Sequence, residues 1–224
     1  MVNIAQINDD YVPVEALIVY QKTGGDRVFE STLPKFFITE YAVFEDGTLG
    51  EGSPLTEQFV GALARGLFPL DYIHERVIAQ SPAITIWWKP ASTARVAFSR
   101  DTGVTGGGKY PLPPMVFKLT GGKLYNWALK DNVRPDKTTK LYRSPFFNIY
   151  DNGKCCMGNV KVPDALDIVK WEATFIGGKC TDELPPYFRK GTPKDVWNQI
   201  RGKDIFPVEI LAETGLTVNN IIME

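Results

Sequence analysis

Histidine is almost absent from this 224-residue chain: His74, in the run LDYIHERV, is the only one. Chemistries built on paired histidines, such as the HExxH metalloproteases, are therefore excluded. Cysteine is scarce as well, with Cys155, Cys156 and Cys180 making three. An odd count with an adjacent pair is no secreted disulfide framework, and no second CxxC or nearby histidine completes a zinc set. No metal and no cofactor are expected, and a reduced compartment fits best. No apolar run reaches the roughly 18 residues of a membrane span. The opening MVNIAQINDDYVPV carries acids where a signal peptide needs bases, so a cytoplasmic protein with no membrane association is expected. A basic surplus is missing too. Lys+Arg number 25 against 26 Asp+Glu, a net charge of −1, which argues against a dedicated nucleic-acid binder.

What is present is the material of a folded core. Hydrophobic residues make up 44% and aromatics 12%, which excludes a disordered chain. A chain of this length buries roughly 70% of its extended surface without disulfides or metal. Internal repeats, low-complexity tracts and charged tails are missing, so one elaborated domain over 1–224 is expected.

Residues 14–21 (VEALIVYQ) and 36–45 (FFITEYAVFE) read as strands of a hairpin, and EDGTLG as a turn. A helix is expected next. Ser53 is its candidate N-cap and Pro54 its first residue, with Leu55, Phe59, Ala62, Leu63 and Leu67 at helical spacing. Gly61 and Gly66 weaken it by about 1 kcal/mol each. The runs 83–89, 94–100, 114–119 and 123–130 read as strands of an antiparallel meander, with PASTA and Thr120-Gly121-Gly122 as hairpin loops. Helices follow over 164–176 and from Thr192-Pro193-Lys194-Asp195 to Gly202, and the tail VEILAETGLTVNNII suggests another short one or two. Strands followed by helices predict an α+β fold with the helices on one side of an antiparallel sheet.

Three places carry chemistry-bearing residues. Gly103–Lys109 has the GxxxxGK spacing, but Tyr110 replaces the magnesium-binding Ser/Thr, and Pro111, Pro113 and Pro114 prevent the helix a phosphate loop requires. It reads as a glycine loop between strands. His74 has no neighbouring Ser or Cys and reads as a solvated or partly packed side chain. The segment 144–163, SPFFNIYDNGKCCMGNVKVP, says most. Asp151-Asn152-Gly153 is a turn signal, and a thiol beside a turn tends to be accessible and reactive. Asn148 could return across the turn as a hydrogen-bond donor for an oxyanion. Equally, cysteines are small hydrophobes that are often buried and inert.

The run Asn148-Ile149-Tyr150-Asp151-Asn152-Gly153-Lys154-Cys155-Cys156-Met157 resembles the active-site stretch of ubiquitin-conjugating enzymes, in which His-Pro-Asn-Ile leads through an Asn-Gly turn to the catalytic Cys. In register, Asn148 falls on the tripeptide's Asn, Gly153 on the turn Gly and Cys156 on the catalytic Cys. Tyr110–Phe117 (YPLPPMVF) resembles the YPFxPPxVxF segment of the same fold. More closely, PPMVF, YNWALK, RPDKTTKLYRSPFFN, NGKCCMGNV and WEATFIGGKCTD resemble a bacterial branch, the PRTRC system protein B family or prokaryotic ubiquitin-conjugating-like family D. The chain departs from the wider pattern at Phe146 and Phe147, which stand in place of His and Pro.

The resemblance implies a UBC-like domain with its core over about 53–205; residues 1–52, with their β-hairpin, are an N-terminal extension extra to that family's pattern. It implies an acyl transferase that carries a ubiquitin-like protein as a thioester on Cys156 and passes it to an acceptor. Asn148 would hold the oxyanion or order the loop that does. Cys155, Gly153, Asn152, Met157 and Asn159 would support the active-site loop. The partners implied are those of a mobile-element cassette: a ThiF-like activating enzyme, a small ubiquitin-like protein and a JAB-type peptidase. The loss of His and Pro raises the alternative of an inactive binding module that docks such a partner.

Overall fold

The computed structural model describes residues 12–21, 36–56, 59–61, 63, 72–163 and 166–223. Two compact units divide the chain, Met1–Asp71 and Tyr72–Glu224.

The first unit contains strands β1 (Glu15–Gln21), β2 (Phe36–Val43) and β3 (Leu49–Pro54) in the order β1-β2-β3. β1 and β2 pair antiparallel from Glu15↔Ala42 to Gln21↔Phe36, as the hairpin reading expects. The turn at 45–47 closes because Asp46 Oδ1 accepts from the Thr48 N–H at 2.9 Å and its hydroxyl at 2.6 Å. The same bonds hold the Asp46 carboxyl below its ordinary pKa. Ser53 and Pro54 do not open a helix. They end the edge strand β3, opposite Glu40 and Thr39, where a proline costs the ladder little. The helical residues 59–61 and 63 are capped by Thr56, whose hydroxyl accepts from the Phe59 N–H at 3.1 Å. Ala62, Gly66 and Leu67 of the expected helix, and the connection through 22–35, lie outside the described residues.

The second unit is built on a six-stranded antiparallel sheet. Its strands are β4 (Val77–Gln80), β5 (Ile84–Lys89), β8 (Met115–Thr120), β9 (Lys123–Ala128), β10 (Lys140–Arg143) and β12 (Glu213–Thr217), in the order β12-β10-β9-β8-β5-β4. Strands β6 (Ser92–Phe98), β7 (Gly108–Leu112) and β11 (Lys179–Cys180) form a smaller sheet, β11-β6-β7, with β11 parallel to β6. The fold is thus α+β and mostly antiparallel. β6 does not belong to the meander, however, and the loop before it joins two sheets rather than a hairpin. Ile86, Trp87, Met115, Val116 and Phe117 are all fully buried, as expected of β5 and β8, which both lie inside the sheet and pair with each other. β6 alternates between exposed and covered positions, as a strand with one solvated face does. Pro113 and Pro114 return the chain from β7 to β8.

Period-two alternation divides the core. Trp87, Phe117, Ala128 and Tyr142 face one cluster, with Trp171 and Trp197 from the helices. Ile86, Val116, Trp127 and Leu141 face another, closed by Val218 and Ile221. The helices are α1 (Ile168–Ile176), α2 (Pro193–Ile200) and α3 (Val218–Met223). They therefore lie on both faces of the large sheet, not on one. α3 seals the second face, and the residues before it, read from sequence as helical, form β12.

Caps explain the helix boundaries. Asp167 caps α1 by accepting from Val169 and Lys170, so the helix starts later than the Asp164 expected. Thr192 caps α2, with Pro193 at its first position. Buried Glu172 locks α1 to β5: it accepts from Trp87 Nε1 at 3.0 Å, pairs with Arg76 and lies 3.6 Å from Lys89 Nζ. Removing one partner of such a buried charge cluster typically costs about 3–5 kcal/mol. Among the described residues, no helix is long and apolar enough to cross a membrane.

Candidate active site

The chain leaves β10 through Ser144, whose hydroxyl donates to the fully buried Asn126 at 2.5 Å. Phe146 and Phe147 then enter the core. Phe146 packs edge-on against Phe175 and Phe147 against Phe98. The positions that hold His and Pro in the resembled motif are thus filled by structural aromatics.

Asn148 follows with φ of 63°, the single non-glycine residue of positive φ among those described. Asparagine is among the few residues that tolerate this conformation. Its side chain explains why it is held there. Nδ2 donates to the Lys179 carbonyl at 3.0 Å, while Oδ1 accepts from the Thr181 N–H at 3.2 Å and the Thr181 hydroxyl at 2.7 Å. One amide thus ties the loop to the segment after α1. Its backbone carbonyl accepts from the Cys156 N–H at 2.7 Å. Asn148 therefore orders the loop directly, and one amide hydrogen of Nδ2 is left for another acceptor.

The turn between them is tight. Gly153 donates to the Tyr150 carbonyl at 2.8 Å, and Asn152 Oδ1 accepts from the Lys154 N–H at 3.1 Å. Gly153 has φ of 86°, and a Cβ there would sit 2.5 Å from the Trp127 ring. Glycine is required on both counts. The turn returns the chain beside β9: Lys154 bridges to Tyr125, and Cys155 donates to the Leu124 carbonyl at 2.8 Å.

That extended pairing separates the two thiols, because neighbouring residues of an extended chain face opposite sides. Cys155 points into the core, 4% exposed. Burial, and secondarily the charge of a Cys156 thiolate, push its pKa far above the thiol range. Cys156 is partly exposed and lines a groove of about 580 Å³. Asn148, Met157 and Asn159 share that groove, with Phe175 of α1 and Lys179, Thr181 and Glu183 beyond it. Cys180 also lines it but is 4% exposed. Burial pushes its pKa up to about 12, against a hydrogen bond with the Phe147 backbone.

The residues singled out from sequence thus come together, though in different roles. Asn152 and Gly153 build the turn, Cys155 packs, Met157 leans on the core, and exposed Asn159 rims the groove. Lys179 and Thr181 were not foreseen. They sit 31 and 33 residues from Asn148, and no local pattern links them. His74 is remote in role: its Nδ1 accepts from the Arg76 N–H at 3.1 Å and shapes the entry to β4. The Gly103–Lys109 segment leads into strand β7, not a helix. Its Thr105 N–H donates to Asn198 at 2.8 Å, and its Thr105 carbonyl accepts from Arg201 at 2.9 Å.

Against known proteins, the family model of prokaryotic E2 family D matches residues 55–213, a span that holds the whole Ser144–Cys156 segment and the groove. No curated protein and no solved structure matches.

Proposed function

Because the chain belongs to prokaryotic E2 family D, we propose that it is a ubiquitin-conjugating-like acyl carrier with Cys156 as its nucleophile. The observation that carries this reading is the separation of the thiols: Cys156 is partly exposed on a groove, and its two companions are buried. On this reading the α+β unit from Tyr72 onward is a UBC-like fold.

The chemistry asks little of the protein. A ThiF-like activating enzyme presents a small ubiquitin-like protein as a thioester. The Cys156 thiolate attacks that carbonyl, a new C–S bond forms, and the activating enzyme's sulfur leaves as thiolate. An acceptor amine or hydroxyl then attacks the carbonyl on Cys156. The C–S bond breaks, the sulfur departs as thiolate, and the acceptor's proton passes to water. No histidine base is required, since desolvation in the groove lowers the pKa of an incoming amine. Asn148 fixes the loop and offers its remaining amide hydrogen to the oxyanion. Loss of such a donor typically costs ~2.7–4 kcal/mol of barrier.

Incubation with the activating enzyme, the ubiquitin-like protein and ATP tests the proposal. We expect a covalent adduct that thiol reductant removes. Cys156→Ser should give a thiol-stable oxyester and Cys156→Ala no adduct. An adduct on the Cys156→Ala protein would overturn the assignment. The burial of Phe146 and Phe147 at the His-Pro positions favours a second reading, a binding module that docks the same partners without chemistry. It predicts complex formation with no adduct on any variant.

A further inference from the structure

We infer that the exposed face of the β11-β6-β7 sheet docks an acidic peptide segment of a partner protein. The inference concerns a different surface from the nucleophile's groove and does not depend on the thioester reading.

The pairing of β6 with β7 sets Arg95 directly opposite Lys109. The parallel pairing of β11 with β6 sets Lys179 beside Ala97, two residues along the same face from Arg95. Arg95, Ala97, Lys109 and Lys179 are all exposed. The sheet thus presents a cation on each of its strands. Like charges directly opposite on adjacent strands destabilise a sheet. Among the described residues, no carboxylate pairs with Arg95, Lys109 or Lys179. Asp101, just beyond β6, is already engaged by the Ser99 hydroxyl and the Asp182 N–H.

Shape agrees with charge. Ala97, Gly107 and Gly108 lack bulk, and the face between Arg95 and Lys109 forms a concavity of about 680 Å³. The backbone edge of β7 is closed, because Gly202 donates to the Lys109 carbonyl at 3.0 Å and Arg201 to the Gly107 carbonyl at 3.4 Å. The open feature is therefore the side-chain face. Lys179 also lines the Cys156 groove, so a segment lying on this face reaches the groove's rim. Carboxylates suit it better than a nucleic acid. The chain's net charge is −1, and the cations cover one small face, not the long stripe that a phosphate backbone engages.

Fluorescence anisotropy of a labelled peptide of alternating aspartate and glycine tests this on the intact protein. An asparagine–glycine peptide and a single-stranded oligodeoxynucleotide serve as comparisons. Binding of the acidic peptide should weaken with salt and fall about tenfold in the double variant Arg95→Glu, Lys109→Glu. The double variant Lys123→Glu, Lys137→Glu makes the same charge change at exposed sites elsewhere and should bind as the parent does. If the reversed pair fails to fold, Arg95→Gln with Lys109→Gln reads the same loss with a smaller change. Absence of binding, equal loss in both double variants, or tighter binding of the oligonucleotide would overturn the inference. The assay needs no activating enzyme, so its failure leaves the thioester test untouched.

Discussion

Behind the loop from Asn148 to Cys156 lies a packed interior, and in front of it an open groove; one peptide bond separates them. Cys155 belongs to the first and Cys156 to the second. Their composition is the same and their surroundings are not. The interior raises the pKa of its thiol and gives it neighbours but no access. The groove leaves its thiol reachable. What assigns each cysteine its side is the register of residues 154 and 155 against β9, set by the Gly153 turn. A slip of one residue would exchange them.

The largest expected effect is kinetic. Titration of the native protein with an aromatic disulfide reagent should release one equivalent rapidly. Cys155 and Cys180 should react about 1000-fold more slowly or worse, since their exposure requires opening of the core. Cys156→Ala should remove the fast phase. A fast phase that survives would place the reachable thiol elsewhere.

The turn is the next point of attack. Gly153→Ala drives a methyl into the Trp127 ring at a backbone conformation unfavourable to alanine. We expect a loss of about 3 kcal/mol in urea denaturation. A loss below about 0.5 kcal/mol, within the range of ordinary surface changes, would mean that the turn does not dictate the register.

Alkaline pH probes the interior thiols. Cys180 has a folded pKa of about 12 against an ordinary value of 9.0, with burial as the main cause. Above the ordinary value the unfolded chain releases the proton and the folded chain keeps it. The folded state then binds more protons, and stability falls as pH rises. Cys180 should thus contribute no pH dependence below about pH 8 and a slope of about −1.4 kcal/mol per pH unit between its unfolded and folded values. Cys155 acts in the same direction. Cys180→Ala should reduce the slope of denaturation midpoints measured over that window. An unchanged slope would show that its thiol is not held from solvent.

The smallest expected effect lies on the groove side. Thr181→Val removes the hydroxyl that donates to Asn148 at 2.7 Å, and should cost about 1 kcal/mol. Thr181→Ser should restore it. If the valine and serine variants are equally stable and equally reactive at Cys156, the brace is dispensable.

Much of this arrangement was legible in the residues. Thr192-Pro193-Lys194-Asp195 announced α2, and apolar runs such as AITIWWK and PMVFKL announced β5 and β8. The spacing from Asn148 to Cys156 singled out the segment that lines the groove. Short elements were harder to see. β10 and β11 owe their state to partners supplied by the sheet. β12 was read as helix because the apolar residues after it recur at helical spacing. The destination of β6 depended on which strands could be buried on both faces, a tertiary property. The Thr181 brace was illegible for a related reason: a hydrogen bond across 33 residues has no local signature.

The parallel pairing of β11 with β6 has a consequence for biogenesis. Cys180 meets Phe98, 82 residues earlier in the chain, a long loop to close before its contacts repay the entropy. A nascent chain emerging from the ribosome exposes the loop from Asn148 to Cys156 before Lys179 and Thr181 arrive to fasten it. Reactivity at Cys156 should therefore mature late, and a chain released before that pairing would offer all its thiols to solvent alike.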